Sequence, residues 1–113
     1  MRYALLILAL CQSAYAADPL LVAQIVLCES GSRPDVCGDD GISCGIAQFQ
    51  KKTFYRFARE AGLKHARYMD MTDQITLLHW AIDHNRGRHW TCYQMIVEHR
   101  TFPKTYRNKI VQR

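Results

Sequence analysis

The chain has 113 residues, of which 15 are Lys or Arg and 10 are Asp or Glu, so its formal net charge is +5. This length is enough for one small domain and excludes an array of domains. With 49% hydrophobic residues and no linker, repeat or low-complexity tract in the sequence, a disordered polymer is also excluded.

The N-terminus has the pattern of an export signal. Arg2 supplies a positive start, residues 3–10 form a short apolar run, and the A-x-A motif at residues 14–16 predicts cleavage before Ala17. The apolar run is much shorter than the roughly 20 residues that span a bilayer, so we expect no stable membrane insertion. Cys11 is expected to leave with the signal peptide, because Leu10 precedes it where a lipoprotein signal has a small residue. The expected domain is residues 17–113, secreted or periplasmic.

The exported part keeps four cysteines: Cys28, Cys37, Cys44 and Cys92. An even number in a small exported domain predicts two disulfides, for which three connectivities are possible. We favour Cys37–Cys44, which closes a Gly-rich loop, with Cys28–Cys92 joining the first helix to the last. Zinc is the rival interpretation of four cysteines, but the sequence has no C-x-x-C pair and export argues against it.

The first helix is predicted from Pro19 to Gly31. Asp18 is suited to cap its first turn, Pro19 to its first helical position, and Gly31 to its end. Near its C-terminus lies Glu29, which shares a helical stripe with apolar residues three, four and seven positions earlier. These residues are Val26, Ile25 and Val22.

Glu29 is therefore expected to be a buried carboxyl. Burial and the negative end of the helix dipole both favour its neutral form and are expected to raise its pKa, as a general acid near neutral pH requires. The plain structural alternative is a Glu that reaches solvent from the end of a helix.

A Gly-rich loop follows over residues 32–44, and residues 45–49 lead into a second helix that ends at Gly62. A third helix is predicted from Thr72 or Asp73 to about Gly87. The expected core residues of these two helices are Phe54, Phe57, Ala58, Ala61, Ile75, Leu78, Ala81 and Ile82.

A fourth helix begins near Thr91, carries Cys92, Met95 and Ile96, and must end before Pro103. No segment alternates with a sustained two-residue period, which is the pattern of a half-buried strand. The predicted fold class is therefore all-α, a small helical domain stabilised by disulfides.

Three motifs occur in a set order around Glu29: Cys-Glu-Ser-Gly at residues 28–31, Gly-Ile-Ala-Gln-Phe at residues 45–49, and Thr-Phe at residues 53–54. This order resembles the lysozyme-like superfamily, specifically the soluble lytic transglycosylases, and is also similar to the catalytic domain of resuscitation-promoting factors. The resemblance extends from Leu20 to about Tyr93.

The resemblance implies cleavage of the β-1,4 bond between N-acetylmuramic acid and N-acetylglucosamine in peptidoglycan. Glu29 would protonate the glycosidic oxygen and then draw the proton from the muramyl 6-hydroxyl, which leaves a 1,6-anhydro end. A hydrolytic muramidase would need a second carboxylate, for which Asp39 and Asp40 are candidates. Two adjacent acids between glycines are also typical of a turn. A non-catalytic glycan-binding or antimicrobial domain is the alternative from another class.

The second motif supplies candidate substrate-binding residues. Gln48 matches the motif's Gln, whose amide can donate to and accept from a sugar. Gly45 matches its Gly, which indicates a close approach of the backbone to another group. Ser43 is a candidate to hold Glu29 or substrate, or is a plain loop serine, whereas Phe49 and Phe54 are predicted to lie in the core.

A third family motif, Ala-Tyr-Asn-x-Gly, is present only in part. Residues 85–87 keep Asn-x-Gly, so Asn85 is a candidate sugar ligand, but His84 stands in the place of the Tyr. Tyr93 could supply the missing phenol and Trp90 an aromatic face for a pyranose ring, while either is equally suited to the core.

No metal or other cofactor is expected. His79 and His84 are five residues apart, which misses one face of a helix, and there is no H-E-x-x-H motif. Ser30 lacks the glycine before it that a nucleophile elbow requires, so a serine hydrolase is not supported.

The positive charge is concentrated in the C-terminal part, where Glu98 is the single acid among seven cationic residues. These are Arg86, Arg88, Arg100, Lys104, Arg107, Lys109 and Arg113. Such a segment suits an anionic cell wall or a membrane surface, or is a solvated basic tail. Nucleic acid fits the charge but not an exported protein.

Overall fold

The structure is a computed structural model that describes residues 17–102. The predicted signal peptide, and Lys104, Arg107, Lys109 and Arg113 of the basic segment, lie outside the described residues. The elements in chain order are α1 (Pro19–Ser30), β1 (Cys37–Gly38), β2 (Ser43–Cys44), β3 (Phe49–Gln50), α2 (Lys51–Glu60), α3 (Met71–Asp83), a 3-10 turn (Gly87–His89) and α4 (Thr91–Ile96).

The fold is mainly helical but not purely so, and the all-α prediction was incomplete in this respect. The three strands form an antiparallel sheet in the order β1-β2-β3, with Cys37 opposite Cys44 and Cys44 opposite Phe49. Each strand is two residues long. A strand this short contains no alternation that a sequence pattern could reveal.

Helix α1 begins and ends as predicted. The carboxylate of Asp18 accepts a hydrogen bond from the backbone N–H of Leu20 at 2.9 Å. Gly31 adopts a left-handed conformation with φ 64°, and its N–H donates to the carbonyl of Leu27. The expected buried stripe is confirmed, and the buried residues of α1 are Val22, Ile25, Val26, Glu29 and Ser30.

The core is centred on aromatic rings that pack edge to face. The ring of Phe49 lies 5.4 Å from that of Phe54 and 4.9 Å from that of Trp90, at interplanar angles of 87° and 90°. Phe49, Phe54 and Phe57 are fully buried, which confirms the predicted core positions of Phe49 and Phe54. Helices α1, α2 and α3 all contribute buried residues to this core.

Helix α3 differs from its prediction at both ends and on its buried face. Its N-cap is Asp70, whose carboxylate accepts from the N–H of Asp73 at 2.9 Å, and it ends four residues before Gly87. Its buried residues are Gln74, Leu77, Leu78 and Ala81. Leu78 and Ala81 are buried as predicted, whereas Ile75 and Ile82, predicted for the same face, are half-buried and pack against the core.

Both predicted disulfides are present. Cys28–Cys92 joins α1 to α4 across 64 residues of sequence, and Cys37–Cys44 joins β1 to β2 across 7. The first bridge therefore ties the two ends of the described fold together, while the second closes one short hairpin.

The two bridges should contribute unequally to stability. In the chain-entropy picture, replacing Cys28 and Cys92 together by Ala should lower the free energy of unfolding by about 4 kcal/mol, and replacing Cys37 and Cys44 by about 2.5 kcal/mol. Urea unfolding of the two double variants measures the difference. Equal losses would contradict the dominant role given to the longer bridge.

Candidate active site

The end of α1, the β1–β2 hairpin, the start of α2 and the start of α4 enclose a cleft of about 280 Å³. The side chains that define its chemistry are Glu29, Asp39, Ser43, Gln48, Thr53, His89 and Trp90. Four of the six predicted site residues thus meet in one place, namely Glu29, Ser43, Gln48 and Trp90. The other two, Asn85 and Tyr93, do not line this cleft.

Glu29 lies in the wall of the cleft with 8% of its surface exposed. Its Oε1 accepts a hydrogen bond from the backbone N–H of Cys92 at 3.2 Å. Because Cys92 is disulfide-bonded to Cys28, the neighbour of Glu29, a covalent bond and a hydrogen bond both connect this part of α1 to α4. The carboxyl group is therefore held in one orientation and largely shielded from bulk water.

Ser30, the second residue of the Glu-Ser motif, is a structural residue. It is fully buried, and its hydroxyl donates to the carbonyl of Ile46 at 2.7 Å and lies 3.1 Å from the carbonyl of Val26. The end of α1 is thereby fixed to the loop of residues 45–48, which forms the other side of the site.

Gln74 fixes the same loop from α3, and the sequence interpretation missed it. Its Oε1 accepts from the N–H of Ala47 at 2.9 Å, and its Nε2 donates to the carbonyls of Cys44 and Tyr68 at 3.1 and 2.6 Å. The close approach predicted at Gly45 is made by the side chain of Gln74, which packs directly on the Gly45 backbone. Its φ is +89°, and a Cβ there would lie 2.2 Å from Nε2 of Gln74.

Gln48 lines the cleft, but its amide nitrogen is engaged by the loop. Nε2 donates to the carbonyls of Val36 and Gly45, both at 2.9 Å. The residue is 7% exposed and has a positive φ of 53°, so it also shapes the turn that it occupies. Its contact with a sugar stays a prediction.

Asp39 and Asp40 form the turn of the β1–β2 hairpin, with φ values of 53° and 57°. The hydroxyl of Ser43 donates to Oδ2 of Asp39 at 2.9 Å. Asp39 also lines the cleft, whereas Asp40 does not. Asp39 can therefore belong to the turn and also supply a second carboxylate to the cleft.

The aromatic candidates differ in position. Trp90 is 4% exposed, its Nε1 donates to the carbonyl of Ala47 at 2.8 Å, and it forms the inner wall of the cleft. Tyr93 is half-buried and packs on Gly87, where a Cβ would lie 2.5 Å from its ring. Asn85, with φ 60°, lines a neighbouring groove.

His89 borders both the cleft and that neighbouring groove. Partial burial lowers the pKa of its imidazole below the ordinary value, and the positive charges of Arg56 and Arg86 lower it further. No sequence motif marks this residue, because the groove is assembled from α2 and the turn after α3.

Within residues 17–102, no group of three or more His, Cys, Asp or Glu side chains is placed to hold a metal ion. In the same part of the chain, no helix has the length and apolar character needed to cross a membrane.

Comparison with known proteins gave no match, whether to a family model, to a curated protein or to a solved structure. Functional assignment therefore depends on the residues of the site and on the order of the motifs.

The positive charges near His89 should have a measurable effect on the pKa of its imidazole. Because the guanidinium of Arg56 disfavours the imidazolium, Arg56→Gln should raise the pKa of His89 toward the ordinary value. The measurement is an NMR pH titration of the His89 ring. Arg59→Gln, on the same helix but outside the groove, is the matched control and should leave the midpoint unchanged. An unchanged midpoint in Arg56→Gln would contradict the electrostatic cause.

Proposed function

We propose that this protein is an exported peptidoglycan lytic transglycosylase in which Glu29 is the general acid and base. The observation that carries the proposal is a largely buried carboxyl group in a polar cleft, held by the Cys92 N–H and flanked by a disulfide. The substrate would be the glycan strand of peptidoglycan, cut between N-acetylmuramic acid and N-acetylglucosamine.

In the proposed reaction, protonated Glu29 gives its proton to the glycosidic oxygen as the bond to the anomeric carbon breaks. The resulting carboxylate then takes the proton of the muramyl 6-hydroxyl, and that oxygen bonds to the same anomeric carbon. The products are a free hydroxyl on N-acetylglucosamine and a 1,6-anhydro muramyl end. No water is consumed, and Glu29 returns to its protonated form.

The surroundings of Glu29 suit this double role. The N–H of Cys92 stays within reach of the carboxyl group, and its hydrogen bond stabilises the carboxylate formed in the first step. Polar side chains of the same cleft, including Gln48 and Thr53, would contact the sugars.

The charge and the cysteines are consistent with action outside the cytoplasm. Two disulfides are typical of oxidising compartments, and a net charge of +5 favours an anionic wall polymer. Secretion or export to the periplasm is part of the proposal.

Glu29→Gln should reduce lysis of purified peptidoglycan by about 10²- to 10⁴-fold, because the amide cannot donate the proton. A turbidity assay measures the rate, and pelleting with peptidoglycan measures binding, which should be retained. Asp35→Asn removes the same charge at an exposed loop position outside the cleft and serves as the control. A Glu29→Gln variant that lyses walls normally would contradict the enzyme and favour a non-catalytic wall-binding domain.

A hydrolytic muramidase is the second candidate, and the position of Asp39 in the cleft favours Asp39 over Asp40 as its second carboxylate. Transglycosylation needs only Glu29, so Asp39→Asn should keep the lytic rate within a few-fold. Asp40→Asn, the neighbouring turn residue, is the matched control. A loss confined to Asp39→Asn, comparable to that of Glu29→Gln, would instead indicate the hydrolytic mechanism.

A further inference from the structure

Beside the cleft lies a larger groove of about 490 Å³, formed by α2 and the segment between α3 and α4. Its polar lining residues are Arg56, Glu60, Asn85, Arg86, Arg88 and His89. We call it the arginine groove. It is continuous with the cleft at His89, which lines both.

The arginine groove carries more positive than negative charge. Arg86 forms an ion pair with Glu60, and Arg88 forms one with Glu98 at 2.8 Å while 67% of its side chain stays exposed. Within residues 17–102, Arg56 has no ion pair with a carboxylate. Two of the three guanidinium groups are thus balanced by acids and the third is available to a ligand.

The guanidinium groups are positioned by a buried aromatic ring. The central carbons of Arg56 and Arg86 each lie 5.1 Å from the centroid of the Phe57 ring, and the ring of His89 meets it edge-on at 5.2 Å. Arg86 also lies 5.1 Å from the ring of Trp80. These contacts place both guanidinium groups at the Phe57 ring, and Glu60 balances the charge of Arg86 alone, so an anionic ligand would find an unbalanced positive charge at Arg56.

We propose that the arginine groove binds the free carboxylates of the peptide stem carried by the glycan strand in the cleft. The inference rests on the proposed function, since it names a second contact of the same substrate. The stem is attached to N-acetylmuramic acid, the sugar at the scissile bond, and the groove is continuous with the cleft at His89, so a stem that extends past His89 enters the groove. Guanidinium groups pair with carboxylates through two parallel hydrogen bonds, which suits them to this ligand.

The test measures binding in the Glu29→Gln background, where strands are not consumed. Two ligands are compared: soluble glycan strands that keep their stems, and the same strands stripped by an amidase. Strands with stems should bind about tenfold more tightly, and Arg56→Gln should remove most of that difference. Arg59→Gln, outside the groove on the same helix, should preserve it.

A second comparison leaves the protein unchanged. Strands whose stem carboxyl groups have been converted to amides should bind like stripped strands if charge is what the groove recognises. Equal binding of all three ligands, or a preference for stems that survives both amidation and Arg56→Gln, would overturn the proposal. The proposed function is judged separately: if wild-type protein cleaves both intact and stripped strands and Glu29→Gln cleaves neither, the chemistry stands even when the groove assignment fails.

Discussion

The link between the end of α1 and the start of α4 is the constraint on which the rest of the structure depends. The Cys28–Cys92 bridge fixes the distance between the two helices, and the Cys92 N–H fixes the carboxyl of Glu29. A domain this small has a marginal hydrophobic core and gains stability from cross-links. The bridge supplies the missing rigidity at the residue where the proposed chemistry needs it.

Two buried polar side chains extend this constraint to the opposite wall of the cleft. Ser30 joins α1 to the 45–48 loop, and Gln74 joins α3 to the same loop through the N–H of Ala47. The amide of Gln74 also donates to the carbonyls of Cys44, which directly precedes the loop, and of Tyr68. In the described part of the chain, no buried side-chain polar atom lacks a hydrogen-bond partner. The loop is therefore held by directional bonds from two helices, which gives its geometry more definition than apolar packing would.

The features predicted correctly from the sequence are the buried face of α1, which follows from helical periodicity, and the disulfides, which follow from the number and positions of the cysteines. The stripe through Val22 and Ile25 located Glu29 on the buried face, and both disulfides were anticipated. Gln74 was missed, because a buried amide interrupts the apolar pattern of α3 and its partners are backbone groups 27 and 30 residues away. The strands were missed because of their length. The arginine groove was missed because its cations come from segments that meet only in the folded chain.

The proposed reaction and hydrolysis differ in the oxygen that bonds to the anomeric carbon. In the proposed reaction it comes from the muramyl 6-hydroxyl, and in hydrolysis it comes from water. Digesting purified peptidoglycan in water enriched in oxygen-18, with Glu29→Gln alongside, tests this directly by mass spectrometry of the soluble products. The account predicts anhydro products, lighter by one water than reducing ends and free of the label, from the wild-type protein alone. Reducing ends that carry one oxygen-18, or the same products from Glu29→Gln, would contradict it.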